Sequence, residues 1–253
     1  MVRLLIAFTL LIVTSQVSAD QHPILSLVID DLGYSLSQGK AAIELRGQHT
    51  YAILPTASYS LKLAEIARQQ NKEVILHLPM QSINMAVNAE PSALHAAMDE
   101  NQLSEKVHNL LARIPGIKGV NNHMGSYLTR LDFFMRPVMD IIHSFNQDLY
   151  FLDSRTTPGS VAYTQAIEAG LQSTTRDIFL DNEHENPASI RLQLQLWLTR
   201  AREHGSAIAI GHPHANTLSV LNEYLEELHD EFRFMPVSRL IELRDESTSI
   251  AQR

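Results

Sequence analysis

The sequence predicts a single α/β domain of seven parallel strand–helix units, closed or nearly closed into a barrel. Three observations carry that prediction. Short apolar runs alternate with helix-period stretches from Ile24 almost to the C-terminus. The runs are apolar throughout rather than alternately polar, as in strands covered on both faces. Single helices separate them, so neighbouring strands pair in parallel through right-handed crossovers. Several of these runs also end in Asp or His.

Ile24–Asp30 is the first strand, followed by a helix over Ser35–Arg46. Tyr51–Leu54 is a short second strand that stops at Pro55. Tyr59, Leu63, Ile66 and Ala67 then share one helical face. Glu73–Leu78 is the third strand, ended by Pro79. Residues 79–100 show no clear period; a loop of that length is either functional, as a lid, or a plain surface excursion. Leu103, Val107, Leu110 and Leu111 mark a helix, and Ile117–Asn122 the fourth strand.

Phe133–Phe145 reads as a helix with Pro137 in its early turns. Leu149–Leu152 is the fifth strand, Pro158–Ala169 a helix closed by Gly170, and Thr174–Leu180 the sixth strand. Asn186 and Pro187 form a cap and first turn for a helix lined by Ile190, Leu194, Trp197, Leu198 and Ala201. Ala207–Ile210 is the seventh strand. Leu218, Leu221, Leu225 and Leu228 stripe a further helix, and a short pair, Phe232–Met235 then Val237–Leu243, finishes the domain. There is no internal repeat and no interdomain linker, so residues 20–253 form one unit.

The first 19 residues are set apart from that unit. Arg3, the apolar stretch Leu4–Val13 and Val17-Ser18-Ala19 make a signal-peptide pattern with cleavage after Ala19. The apolar core is shorter than the roughly 20 residues of a membrane-spanning helix. An uncleaved anchor is the alternative; the expectation is export to the periplasm or cell envelope, with no stable membrane span after cleavage. The chain has 253 residues, a net charge of −8 and no cysteine. Thiol catalysis and cysteine zinc sites are thereby excluded, and His and carboxylate remain as metal ligands. No basic stripe exists, so nucleic acid is not an expected partner. Neither a Gly-x-Ser-x-Gly elbow nor a Gly-rich phosphate loop is present.

The chemistry-bearing residues sit at strand ends, where α/β barrels keep their active sites. Asp30 and Asp31 are adjacent carboxylates, which repel unless a cation or proton intervenes. One would hold a metal and the other act as general base; capping the helix after Ser35 is the alternative. His77 ends the third run, and His123 ends Asn121-Asn122-His123. Asp31, His77 and His123 make a three-ligand set with room for water, of the kind zinc uses in catalysis. His212 suits protonation of a leaving group, and of His212 and His214, separated by Pro213, at most one enters the site. Asn122, Asp153 and Asp181 are candidates to orient ligands, and Arg155 or Arg176 to hold Asp30 or substrate. Surface ion pairs or helix caps would also explain these carboxylates and arginines.

Together, Val28-Ile29-Asp30-Asp31-Leu32-Gly33, His77-Leu78-Pro79-Met80, Asn121-Asn122-His123-Met124-Gly125-Ser126 and Gly211-His212-Pro213-His214 resemble the divergent polysaccharide deacetylase family, over Ile24 to about Leu243. The resemblance implies a distorted (β/α)7 barrel, a divalent cation such as Zn2+, and hydrolysis of N-acetyl groups on an amino sugar. It implies Asp30 as catalytic base, Asp31 as metal carboxylate and His212 as catalytic acid. Where the related metal-dependent polysaccharide deacetylases carry a second His four residues after the first, this chain has Gln81, so His123 would supply that ligand. The expected function is therefore an exported metal-dependent hydrolase acting on an envelope glycan such as peptidoglycan. The rival is a non-catalytic envelope protein that keeps the barrel to bind a glycan or a partner.

Overall fold

The computed structural model describes residues 22–84 and 90–251; the expected signal segment lies outside the described residues. The chain runs β1 (Ile24–Leu32), α1 (Leu36–Ile43), β2 (Thr50–Ile53), α2 (Ser60–Gln69), β3 (Glu73–Met80) and α3 (Glu100–Ala112). It continues as β4 (Gly119–Met124), α4 (Asp132–Phe145), β5 (Tyr150–Asp153), α5 (Ala162–Glu168) and β6 (Gln172–Thr175). Then come β7 (Ile178–Phe179), α6 (Pro187–His204), β8 (Ser206–Gly211), α7 (Ala215–Leu228), β9 (Arg233–Phe234) and α8 (Val237–Ala251). The strands form one parallel sheet in the order β6-β5-β4-β3-β2-β1-β8-β7, with β9 beside the start of β1. This is the distorted (β/α)7 barrel that the sequence predicts.

The distortion is concentrated in the expected sixth strand, Thr174–Leu180, which is two strands. β6 pairs with β5 and β7 with β8, and the partner changes at Arg176 and Asp177. The Arg176 N–H donates to Asp153 O at 3.1 Å, whereas the Asp177 N–H donates to Ile208 O at 2.9 Å. One run thus serves both neighbours, and the ring is closed by the chain itself rather than by a continuous ladder.

β3 also departs from expectation, running through Pro79 to Met80. β2 flanks it only as far as Leu76, while β4 pairs with it to Met80. The missing Pro79 N–H therefore falls on an edge that β2 has left, where a strand tolerates proline. Leu94 fills part of that edge, its N–H donating to Pro79 O at 2.8 Å and its carbonyl accepting from the Gln81 N–H at 2.9 Å. The described parts of the 79–100 segment are in this way tied to the barrel rim.

Two apolar clusters hold the fold. The larger lies between the sheet and the surrounding helices and includes Trp197, whose indole N–H donates to Ala207 O at 3.1 Å. Asn186 and Pro187 start α6 as expected, the Asn186 side chain accepting from the Ala188 and Ser189 N–H groups. The smaller cluster fills the barrel with Val28, Ala52, Ile75, Leu152, Ile208 and Ile210, joined by Val237, Leu240 and Ile241. These last three belong to α8, which plugs the N-terminal end of the strands. There Glu73 accepts hydrogen bonds from Thr50 and Tyr150, both at 2.8 Å, and from Ser238. With that end closed, the C-terminal rim is the open one.

Candidate metal centre and active site

Strand parity delivers the site. Successive inward-facing residues are Val28 then Asp30 on β1, Ile75 then His77 on β3, and Ile210 then His212 after β8. In β4 the same alternation carries Asn121 and His123, whose register partners on β3 are His77 and Pro79. The apolar member of each pair fills the core, and the polar member reaches the rim. Asp31 would by parity point away. Its left-handed backbone, φ 59°, turns it back to the same mouth, an uncommon geometry for a non-glycine residue. Ser35, accepting from the Gln38 N–H, caps α1, so neither Asp30 nor Asp31 is needed for that purpose.

Three lone-pair atoms meet there. Asp31 Oδ1 lies 2.8 Å from His123 Nδ1 and 3.0 Å from His77 Nε2, and the two nitrogens are 3.1 Å apart. Asp31 Oδ1 is buried, yet neither contact has hydrogen-bond geometry. A proton can bridge at most two of the three atoms. A cation between them would satisfy all three, and ligand atoms about 2.0–2.1 Å from a tetrahedral zinc lie roughly 3.3 Å apart, close to this triangle. One oxygen, two imidazole nitrogens and no thiolate form the donor set of a catalytic zinc site, so these residues fit a divalent cation.

Asp30 sits beside this triangle. Its Oδ1 accepts from Asn121 Nδ2 at 2.8 Å, and its Oδ2 lies 3.7 Å from His77 Nε2. Burial holds its carboxyl above the ordinary value, against the pull of His77 and His212. Burial acts the same way on Asp31, but there the contacts from His123 and His77 outweigh it and hold the carboxyl well below its ordinary value. The neighbouring carboxylates thus keep different affinities for a proton, which suits two different tasks. The local field also favours positive charge on His77, raised by Asp30 and Asp31 despite its burial.

His212 faces Asp31 from the opposite wall, with Nε2 3.8 Å from Asp31 Oδ2. Its Nδ1 donates to Asp181 Oδ1 at 2.9 Å, and its backbone N–H donates to Asp181 Oδ2 at 2.7 Å. Thr217 donates to the same Oδ2 at 2.8 Å. Burial alone would lower the His212 pKa, but Asp181 raises it to about 9. Asp181 therefore orients and charges His212, and its oxygens are already engaged.

The remaining candidates divide. Asn122 borders the cavity, but its Nδ2 donates to Met124 O at 2.8 Å and its Oδ1 accepts from the Ser154 N–H at 2.9 Å. The amide that bridges the site is Asn121, which the parity of β4 marks and which pattern reading passed over in favour of its neighbour. Asp153 turns to the Arg155 N–H and the Ser160 hydroxyl, both at 2.8 Å. His214 stands apart from the triangle, stacked on His184 with ring centres 4.2 Å apart. Arg155 and Arg176 both line the cavity, yet among the described residues no ion pair joins either to Asp30.

The triangle opens into a cavity of about 430 Å³ lined by Asp30, Asp31, His77, His123, Arg155 and His212 among others. A second cavity of about 800 Å³ shares Asp31 and His123 with it. Its wall includes Tyr34, whose hydroxyl donates to the Glu90 carboxylate. The two cavities adjoin at Asp31 and His123.

Residues 27–241 match the divergent polysaccharide deacetylase family. The chain belongs to that family. An uncharacterized protein of Haemophilus influenzae is 37% identical over 216 residues, 85% of this chain and 76% of that protein. The crystal structure of an uncharacterized Agrobacterium tumefaciens protein superposes with a TM-score of 0.81 at 23% identity, covering 88% of this chain and 91% of that one. The Bc1960 peptidoglycan N-acetylglucosamine deacetylase shares the fold more loosely, with a TM-score of 0.51, 10% identity and coverage of 84% and 85%. The divergent deacetylase signature spans nearly all of the described barrel, so strands, rim and triangle fall within it. Among the described residues no helix is long and apolar enough to cross a membrane.

Proposed function

We propose that this divergent deacetylase is an exported, cation-dependent hydrolase that removes N-acetyl groups from an amino-sugar glycan of the cell envelope, such as peptidoglycan. The observation that carries the reading is the triangle of Asp31, His77 and His123, with Asp30 on one side and the Asp181-oriented His212 on the other. Asp31, His77 and His123 would hold the cation, for which Zn2+ suits the donor set. Such an ion supplies Lewis-acid polarisation of the acetamide carbonyl and acidifies water.

The chain's own residues perform the proton transfers. Asp30, fixed by the Asn121 amide, takes the proton from the attacking water. His212 has Nδ1 committed to Asp181, so Nε2 faces the mouth and gives its proton to the departing amine. Asp181 steadies the charged ring, much as a carboxylate behind a catalytic histidine does.

The test is acetate release from N-acetylated amino-sugar oligomers by protein loaded with zinc, manganese or cobalt. The wild type is expected to release acetate. Asp30→Asn should lower the rate by roughly 10²–10⁴-fold while retaining its cation. No release by the loaded wild type would overturn the deacetylase reading. Export is tested by the N-terminus of protein recovered from the envelope, expected at Asp20.

A further inference from the structure

We propose that Arg155 recognises a carboxylate on the substrate, so that the glycan is an acidic one. The proposal rests on the deacetylase reading above and names the substrate class of that same site. Arg155 leaves the C-terminal end of β5 and lines the cavity that holds Asp30 and the cation triangle. Two roles are open to an arginine there, holding Asp30 or holding substrate, and the geometry removes the first. Asp30 is held by Asn121, beside His77. Among the described residues no carboxylate forms an ion pair with Arg155.

The guanidinium is launched from a fixed point. Arg155 has a left-handed backbone, φ 48°. Its N–H donates to Asp153 Oδ1 at 2.8 Å, and its carbonyl accepts from Arg176 Nη2 at 3.0 Å. Arg176 is pinned in turn, its Nε donating to Ser154 O at 2.8 Å and its guanidinium stacking 4.9 Å over the Phe179 ring. Arg176 is thus a positioning residue, and Arg155 is the one with a free charged end.

The charge balance of the cavity points the same way. Its lining carries two carboxylates, Asp30 and Asp31, two guanidinium groups, Arg155 and Arg176, and His212, whose charge Asp181 balances from behind. A divalent cation would then leave the wall net positive, within a chain whose net charge is −8. Arg155 is exposed, so a neutral sugar would leave its charge to solvent and counter-ions. A carboxylate would compensate it, and it matches the planar fork of a guanidinium with two parallel hydrogen bonds.

The experiment compares two ligands that differ in one charge: an N-acetylated disaccharide bearing a uronic carboxylate, and its methyl ester. Binding is measured by calorimetry on full-length, cation-loaded Asp30→Asn protein, whose turnover, roughly 10²–10⁴-fold slower, leaves the ligand essentially intact during the titration. The acid is expected to bind about tenfold more tightly than the ester. Arg155→Gln should erase that preference, and Arg155→Lys should keep part of it; thermal midpoints confirm that both variants fold. Equal binding of acid and ester, or a preference that survives in Arg155→Gln, overturns the assignment. Acetate release by the wild type judges the deacetylase reading separately, so either idea can fail without the other.

Discussion

His77 Nδ1 and Asn121 Oδ1 lie 2.7 Å apart, joined across the register that pairs these residues in β3 and β4. A carbonyl oxygen can only accept, so a proton sits on His77 Nδ1, and Nε2 is the nitrogen left for a cation beside Asp31 and His123. The other end of the same amide donates to Asp30 at 2.8 Å and to Ser154 at 3.2 Å, which fixes its orientation. One side chain therefore sets the tautomer of a metal-ligand candidate and the position of the candidate base.

Replacing Asn121 should loosen both. Asn121→Leu is expected to weaken zinc affinity about 10–100-fold, read by competition with a chromophoric chelator. Asn121→Asp, which keeps the acceptor, should retain more affinity than Asn121→Leu. Unchanged zinc affinity in Asn121→Leu would show that His77 needs no such partner.

Gly33 follows the Asp pair with φ 139°, and a Cβ there would lie 2.6 Å from Ala57 Cβ. Gly33→Ala must strain the backbone and move the neighbouring turn. A loss of about 1–3 kcal/mol is expected in urea unfolding. An unchanged midpoint would mean that this turn yields freely.

The plug at the closed end of the barrel is a packing site. Leu240 is 1% exposed and sits among the inward residues of the strands. Leu240→Ala should cost about 2–5 kcal/mol by lost burial and the cavity left behind. A cost below about 1 kcal/mol would show that α8 packs loosely there.

Buried His49 gives the fold an acid-sensitive element remote from the rim. Burial lowers its pKa from 6.5 to about 3, opposed by the bond to Arg46 O and assisted by Lys72 and His229. The unfolded chain takes up a proton below pH 6.5 that the folded ring refuses until about pH 3. The His49 contribution is therefore complete above pH 6.5 and falls by roughly 1.4 kcal/mol per pH unit down to about pH 3. Between pH 6.5 and 5 the wild type should lose about 2 kcal/mol more than His49→Gln, in urea unfolding at each pH. Parallel pH slopes for the two proteins would refute the assignment.

Much of the site was legible because a strand end is a local feature. Apolar runs closing in Asp30, His77 and His212 announce themselves within a few residues of sequence, and a rim of parallel strands gathers such ends. The period of two would also have found Asn121, which shares a face with His123. Asn122, next to His123 in sequence, lies on the opposite face of the strand. The split of Thr174–Leu180 into β6 and β7 was hidden. One apolar run carries no mark of how many neighbours it must serve.

By itself, the sequence determined the alternation of strands and helices, the parallel sheet, and the residue types available for chemistry, because periodicity and composition act over short stretches of chain. Tertiary structure decided the rest. The register of β3 against β4 set His77 beside Asn121, and the left-handed turn at Asp31 brought its carboxylate back to both imidazoles. The partner change at Asp177 closed the ring and set Arg176 beneath Arg155. Each of these depends on contacts between residues dozens of positions apart, whose energies no local pattern contains.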